Sequence, residues 1–456
     1  MSWALPICLA TACLSAVAVP GLRAISPDLL VATGGFLCWA GLARYAPASF
    51  SLRYISIMGV FFTTYSAMIV VPSLYIRLQL PEIGGPWFYY GVVGVLPLSG
   101  LGWFLVHRGF GQRRDEFEHY FKAPITVERG GLAVGMFAAL CVLCLSLAAL
   151  HVVSAPVNPL RMLLSGASSA ELIAAREASL KTLPGGGIKY LVSWLMSVLF
   201  PLAALWALGR ALTEKGRLWK VIAGAVIGAA VLYATFTTAK APAAMLVCMI
   251  VIMVLVHRRQ PVPLHYMVVG ALVVLAIPAA LVASISDAGP LAVIGAMSRR
   301  LFYVPAEALV FYFEVFDSAH GFLEGRSINL ISRRVFDEAP FPISNYVYHH
   351  IHTGGIKTGL SNAAFIGTLW ANFAHLGLLI GPVVVGGLIG LSELVVTYGQ
   401  RSLLRVCLHA MICLQVFFLS SRSVTVAMLT GGWVPALALV MGAGLVLRLA
   451  RRWDPT

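Results

Sequence analysis

The chain has 456 residues, of which 59% are hydrophobic and only 11% charged, and its mean hydropathy is +0.88. A soluble domain carries about 25% charged residues, so composition excludes an ordinary globular protein and points to a polytopic membrane protein. The formal net charge of +14 does not imply nucleic acid as a partner, because most basic residues fall in short connections between apolar stretches, where they set orientation.

Stretches of about 20 apolar residues, the length that crosses a bilayer, recur along the chain. In chain order they cover 4–20, 28–43, 54–76, 87–106, 131–153, 189–209, 219–239, 241–256, 265–286, 363–396, 404–421 and 425–447, about twelve spans. The first, MSWALPICLATACLSAVAVP, has the length of a signal peptide but no basic start and no clear cleavage site, and reads as a retained span. The expected fold is all-α: one membrane domain over 1–456 with two large loops, 154–188 and 287–361.

Alternate connections carry Arg44 and Arg53, the Arg108–Arg129 group, the Arg210–Lys220 group, Arg258 and Arg259, Arg401 and Arg405, and the tail with Arg448, Arg451 and Arg452. The short connections on the other side hold one cation each: Arg23, Arg77, Lys240 and Arg422. The positive-inside rule then places both termini in the cytoplasm and both large loops outside. The eight cysteines all lie within apolar spans, so a disulfide framework is not expected. Cys141 and Cys144 have CxxC spacing inside LCVLCLSLAAL, which reads as buried small side chains.

Several chemistries lack their motifs. Gly185-Gly186-Gly187-Ile188-Lys189 has neither the spacing nor the hydroxyl of a phosphate-binding loop, and there is no HExxH and no DxD pair. No metal or cofactor is expected, and any sugar donor is expected to be lipid-linked.

In the first loop, Ser168-Ser169-Ala170-Glu171 has capping-box spacing and Glu177 and Lys181 pair at i,i+4, which predicts a surface helix. Arg176 on it has no acidic partner at i±3 or i±4. It suits either a phosphate or a lipid-headgroup contact.

The second loop breaks the apolar rhythm most strongly. It holds Arg299, Arg300, Arg326, Arg333, Arg334 and Lys357 with four histidines and seven carboxylates. Pro305 predicts a helix start, and AEALVFYFEVF reads as a membrane-seated helix with Glu307 and Glu314 on one face. Those glutamates are candidates for a proton acceptor and its tuning partner, or for ion-pair partners of Arg299 and Arg300. Gly325-Arg326-Ser327 reads as a turn. His350 and His352 share a face if the segment is extended, and are candidates for proton acceptance or a sugar-hydroxyl contact. The stretch 361–397 is too long for one simple span, and fits a helix entering from outside and bending near Gly377.

These features resemble the bacterial O-antigen and oligosaccharide-repeat-unit polymerases. The resemblance rests on the many spans, two arginine-bearing outer loops, Thr238-Ala239-Lys240-Ala241-Pro242, the run Arg300 to Pro305, Gly325-Arg326-Ser327, and Gly359-Leu360-Ser361-Asn362 leading into FIGTLWANFAHLGLLIGP. It implies a glycosyltransferase of the bacterial inner membrane that joins undecaprenyl-pyrophosphate-linked repeat units in the periplasm. It also implies chain-length regulator and flippase proteins as pathway partners. The departing pyrophosphate would be held by Lys240, Arg299, Arg300 and Arg422, with Arg326 and Arg176 as further contacts. Glu307, Glu314, His350 and His352 are the candidate bases, and no metal takes part. The alternatives are an O-antigen ligase with the same donor chemistry, or a lipid-linked saccharide flippase or secondary transporter.

Overall fold

The computed structural model describes residues 26–453 except 81, 112–115, 129, 215, 237–239, 264, 353–358 and most of 159–186 and 267–289. The predicted span 4–20, most of 265–286, and most of the predicted surface helix in 154–188 lie outside the described residues.

The described residues are overwhelmingly helical and contain no strand, only one isolated bridge between Thr126 and Ser402. In chain order the helices are α1 (Ser26–Tyr45), α2 (Ile57–Gln79), α3 (Gly85–Gly109), α4 (Glu116–Lys122), α5 (Gly131–Ser154), α6 (Tyr190–Thr213), α7 (Arg217–Phe236) and α8 (Lys240–His257). They continue with α9 (Pro290–Phe302), α10 (Val304–Glu314), α11 (Ile343–Ile351), α12 (Phe365–Thr397), α13 (Leu403–Phe418) and α14 (Trp433–Trp453). Seven helical stretches are long and apolar enough to cross a membrane, and α8 and α13 are shorter apolar helices. α1 covers the predicted 28–43.

Two of the long helices contain a widened turn, at Ser66–Val70 in α2 and Leu195–Leu199 in α6. Each comes just before a proline, Pro72 and Pro201, which has no N–H to donate and crowds the preceding carbonyls.

The chain divides into two compact units. The first comprises 1–119, 282–395 and 416–427; the second comprises 120–281, 396–415 and 428–456.

In the first unit, α3 and the later part of α12 run side by side in the same direction. Trp87 meets His375 at 4.5 Å, Gly91 faces Leu378, and Trp103 donates its indole N–H to Glu393 at 3.3 Å. Gly102 and Gly386 permit this approach, since a Cβ on either would collide with a carbonyl of the facing helix. α2 runs the other way, its Tyr65 hydroxyl donating to the Val92 carbonyl at 3.1 Å. α10 is the helix predicted from Pro305, and it buries Leu309, Val310, Tyr312 and Phe313 within this unit.

The second unit is built on α5 to α8. Cys144 is part of an apolar cluster with Leu147, Leu199, Phe200, Tyr233 and Leu246, as expected of a buried small side chain. No disulfide joins the described cysteines. Two buried arginines fasten this unit's connections. Arg401 donates to the carbonyls of Phe121, of Ala123 at 3.0 Å and of Val256 at 2.7 Å. Arg210 donates to the Glu128 carbonyl, pairs with Glu214 at 3.6 Å and lies 4.5 Å over the Trp219 ring. Burial lowers the Arg401 pKa, and it pushes the adjacent Tyr120 phenol up to about 12 despite that guanidinium.

Candidate functional site

The first unit contains a non-helical dip between its long helices. The chain approaches α12 through Ser361, whose carbonyl accepts the Tyr312 hydroxyl at 2.9 Å and whose N–H donates to the Ser344 carbonyl at 3.0 Å. Four residues later the Phe365 ring packs on Phe61 at 6.2 Å and Tyr65 at 6.0 Å. At 1.5 Å per residue, those rings lie about 6 and 12 Å along α2, a helix about 34 Å long. Phe365 therefore lies about a quarter of the way along α2 from its Ile57 end.

From there α12 first climbs back. Trp370 reaches His375 at 5.4 Å, and His375 stands beside Trp87 in the first turn of α3. The helix breaks at Ala374, which takes φ 50°, ψ −134°, and from His375 onward it runs along α3. The two limbs of the hairpin press together: a Cβ at Gly377 would collide with the Leu369 carbonyl. The bend expected near Gly377 thus falls three residues earlier, with Gly377 permitting the close approach.

The break is held from the outer loop. Asn372 is 2% exposed and donates to the Ser327 hydroxyl and the Thr368 carbonyl, each at 2.7 Å, and accepts the Ser327 N–H at 3.3 Å. The Leu323 N–H takes the Ala371 carbonyl at 2.9 Å. This fixes the turn Leu323–Arg326, in which Glu324 and Gly325 both have positive φ.

A second unwound stretch meets the first at the same depth. The Phe365 N–H donates to the Leu419 carbonyl at 3.0 Å, and Leu419 opens the segment Leu419-Ser420-Ser421-Arg422-Ser423. Ser361, Ala363, Ala364, Leu419 and Ser420 are buried, but Asn362 is exposed and Ser421, Arg422 and Ser423 are half-exposed. Irregular backbone at membrane depth is tolerated only inside protein or against a water-filled cavity. Asn362, Ser421, Arg422 and Ser423 form the exposed side of this dip. Arg422 stacks on Phe418 at 4.1 Å and has no carboxylate partner among the described residues. An unpaired arginine at membrane depth costs roughly 2.5–3.5 kcal/mol on insertion scales, a cost that an anion bound there offsets.

The other candidates from the sequence occupy different places. Arg299 and Arg300 end α9 beside Tyr303, whose ring is 6.3 Å from that of Tyr75 near the end of α2. Arg299 pairs with Glu307 at 3.3 Å and lies 5.7 Å over the Tyr303 ring. Burial and the Glu307 charge raise the Tyr303 pKa, offset in part by Arg299. Glu314 accepts the Gly84 N–H at 3.4 Å. Arg326 is flanked by Glu324 at 3.7 Å and Glu338 at 3.9 Å and lies over Phe336 at 4.4 Å. His350 and His352 do not share an extended face. His350 lies on α11, whose last turn carries it, and His352 follows as the cap with its ring stacked on Tyr348 at 4.3 Å. No group of three metal-binding side chains occurs among the described residues. Lys240 begins α8 in the second unit, and Arg176 lies outside the described residues.

The sequence reading named Arg422 but missed the dip around it. The unwound segment SSRS is a signal in retrospect, since four consecutive polar residues interrupt two apolar runs. No protein-family model, curated protein or solved structure matches the chain.

Proposed function

We propose that the chain is a membrane glycosyltransferase that joins undecaprenyl-pyrophosphate-linked oligosaccharide repeats at the outer face of a bacterial inner membrane. The observation that carries this reading is Arg422: a half-buried guanidinium over Phe418, with no carboxylate partner among the described residues, on a non-helical stretch that ends an apolar helix. In the reaction a hydroxyl oxygen of the acceptor sugar attacks the anomeric carbon of the donor. The bond from that carbon to the pyrophosphate oxygen breaks, its electron pair leaves with the pyrophosphate, and the hydroxyl proton passes to a base. A fixed cation at the leaving group lowers the barrier without requiring a metal. The dip also lets a lipid carry its head to that cation while its tail stays in the bilayer.

One observation favours a secondary transporter as a second reading. α12 is broken at Ala374 and carries Glu393, which is fully buried. Broken helices and intramembrane carboxylates are features of gradient-driven carriers.

A single experiment separates the readings. Purified protein is given a lipid-linked repeat and no nucleotide sugar, and products are resolved by chain length. The proposal expects a ladder on the lipid pyrophosphate, reduced about 10²–10³-fold by Arg422→Ala. Transfer only onto a lipid A core acceptor identifies a ligase. Movement of the lipid across vesicles without bond formation identifies a carrier.

A further inference from the structure

The end of the first unit that carries Gln79 and Gly85 has a second cationic feature, separate from the dip. α9 is exposed along most of its length and finishes Ser298-Arg299-Arg300-Leu301-Phe302. Its exposed residues include Ile294 (52%) and Phe302 (39%), and Tyr75, the ring partner of Tyr303, is 55% exposed. This combination of apolar and aromatic surface marks the level where a bilayer's hydrocarbon gives way to headgroups.

The two arginines differ sharply there. Arg299 is neutralised by Glu307 and leans on Tyr303. Arg300 is exposed and has no hydrogen bond, ion pair or ring contact with the described residues. Glu307 is within ion-pair distance of Arg299, and Arg300 points to a different side of the helix, about 100° away. The surplus charge is Arg300's, within two residues of the exposed Phe302 ring. A guanidinium beside exposed aromatic surface matches a phosphodiester joined to acyl chains.

We propose that Arg300, at the end of α9, binds an anionic phospholipid headgroup, with Phe302 and Tyr75 against its acyl chains. This gives Arg300 a structural lipid in place of the departing pyrophosphate. It is independent of the proposed function, because it predicts binding whether or not the chain transfers sugar.

The test is native mass spectrometry of the purified full chain in detergent, titrated separately with phosphatidylglycerol, phosphatidylcholine and undecaprenyl pyrophosphate. Phosphatidylglycerol should bind the wild-type chain in preference to phosphatidylcholine. Arg300→Ala should weaken phosphatidylglycerol about fivefold, the effect of one basic residue at a membrane surface. Arg300→Lys should keep most of that binding, and Arg333→Ala, at another exposed arginine of the same loop, should leave it as in wild type. Unchanged phosphatidylglycerol affinity in Arg300→Ala overturns the proposal. So does an equal loss in Arg333→Ala, or dependence on Arg300 for undecaprenyl pyrophosphate alone.

Discussion

Replacing Asn372 with alanine should release the outer-loop turn from α12. The side chain is 2% exposed and satisfies three groups: its amide donates to the Ser327 hydroxyl and the Thr368 carbonyl at 2.7 Å, and its oxygen accepts the Ser327 N–H at 3.3 Å. Each such bond contributes about 1 kcal/mol net, and a buried group left without its partner costs about 1–3 kcal/mol. The variant therefore loses roughly 2–3 kcal/mol locally. One bond between the segments survives, Leu323 N–H to the Ala371 carbonyl, but it must now hold the strained Ala374 break with less support. Hydrogen exchange read by mass spectrometry is the suitable assay. Amides in 323–328 should exchange about 30–150-fold faster in Asn372→Ala, while amides in the second unit exchange as before. Ser327→Ala should give a smaller change in the same peptides. Unchanged protection over 323–328 would refute the idea that Asn372 holds this turn.

Other outcomes follow from the same packing. Ala374→Gly should relieve about 1 kcal/mol of backbone strain and raise the unfolding temperature in detergent, because glycine tolerates positive φ. Gly377→Ala should destabilise by about 1–3 kcal/mol or more, since the new Cβ meets the Leu369 backbone rather than a movable side chain, and thermal unfolding would register the loss. Arg401→Leu leaves three carbonyls without their donor and should cost about 3 kcal/mol or more in denaturant unfolding. The Tyr120 phenol, raised to about 12 in the fold, ionises first in the unfolded chain. Its contribution to stability is therefore full below pH about 10 and is lost as pH rises from there towards 12, so Tyr120→Phe should lose less stability over that window.

What the sequence made legible was local. Apolar stretches of bilayer length became helices, and Pro305 marked the start of α10 because proline suits a first turn. The pairing of Arg299 with Glu307, eight residues apart, was open between ion pair and proton acceptor, because nothing local places them together. The Ala374 break was not legible, since alanine carries no preference for positive φ. It is imposed by Asn372, Ser327 and the contact of Gly377 with Leu369, partners that only the folded chain assembles. The histidine segment reads equally well as strand or helix over so few residues, and Tyr348 decides for the helix end by stacking on His352. Arg401 and Arg210 look like orientation charges in the sequence. They also serve as structural clamps, because their acceptors are carbonyls from distant segments, which no side-chain pattern reveals.

The proposed function requires that the non-helical stretches around Arg422 open to water. It is tested most directly by placing one thiol at Asn362 in a chain whose eight native cysteines have been replaced, then comparing a membrane-impermeant with a lipid-soluble maleimide. Rapid alkylation of Asn362→Cys by the impermeant reagent in intact membranes, slowed when inorganic pyrophosphate is added, is the predicted result. Reaction only with the lipid-soluble reagent, indifferent to pyrophosphate, would contradict it.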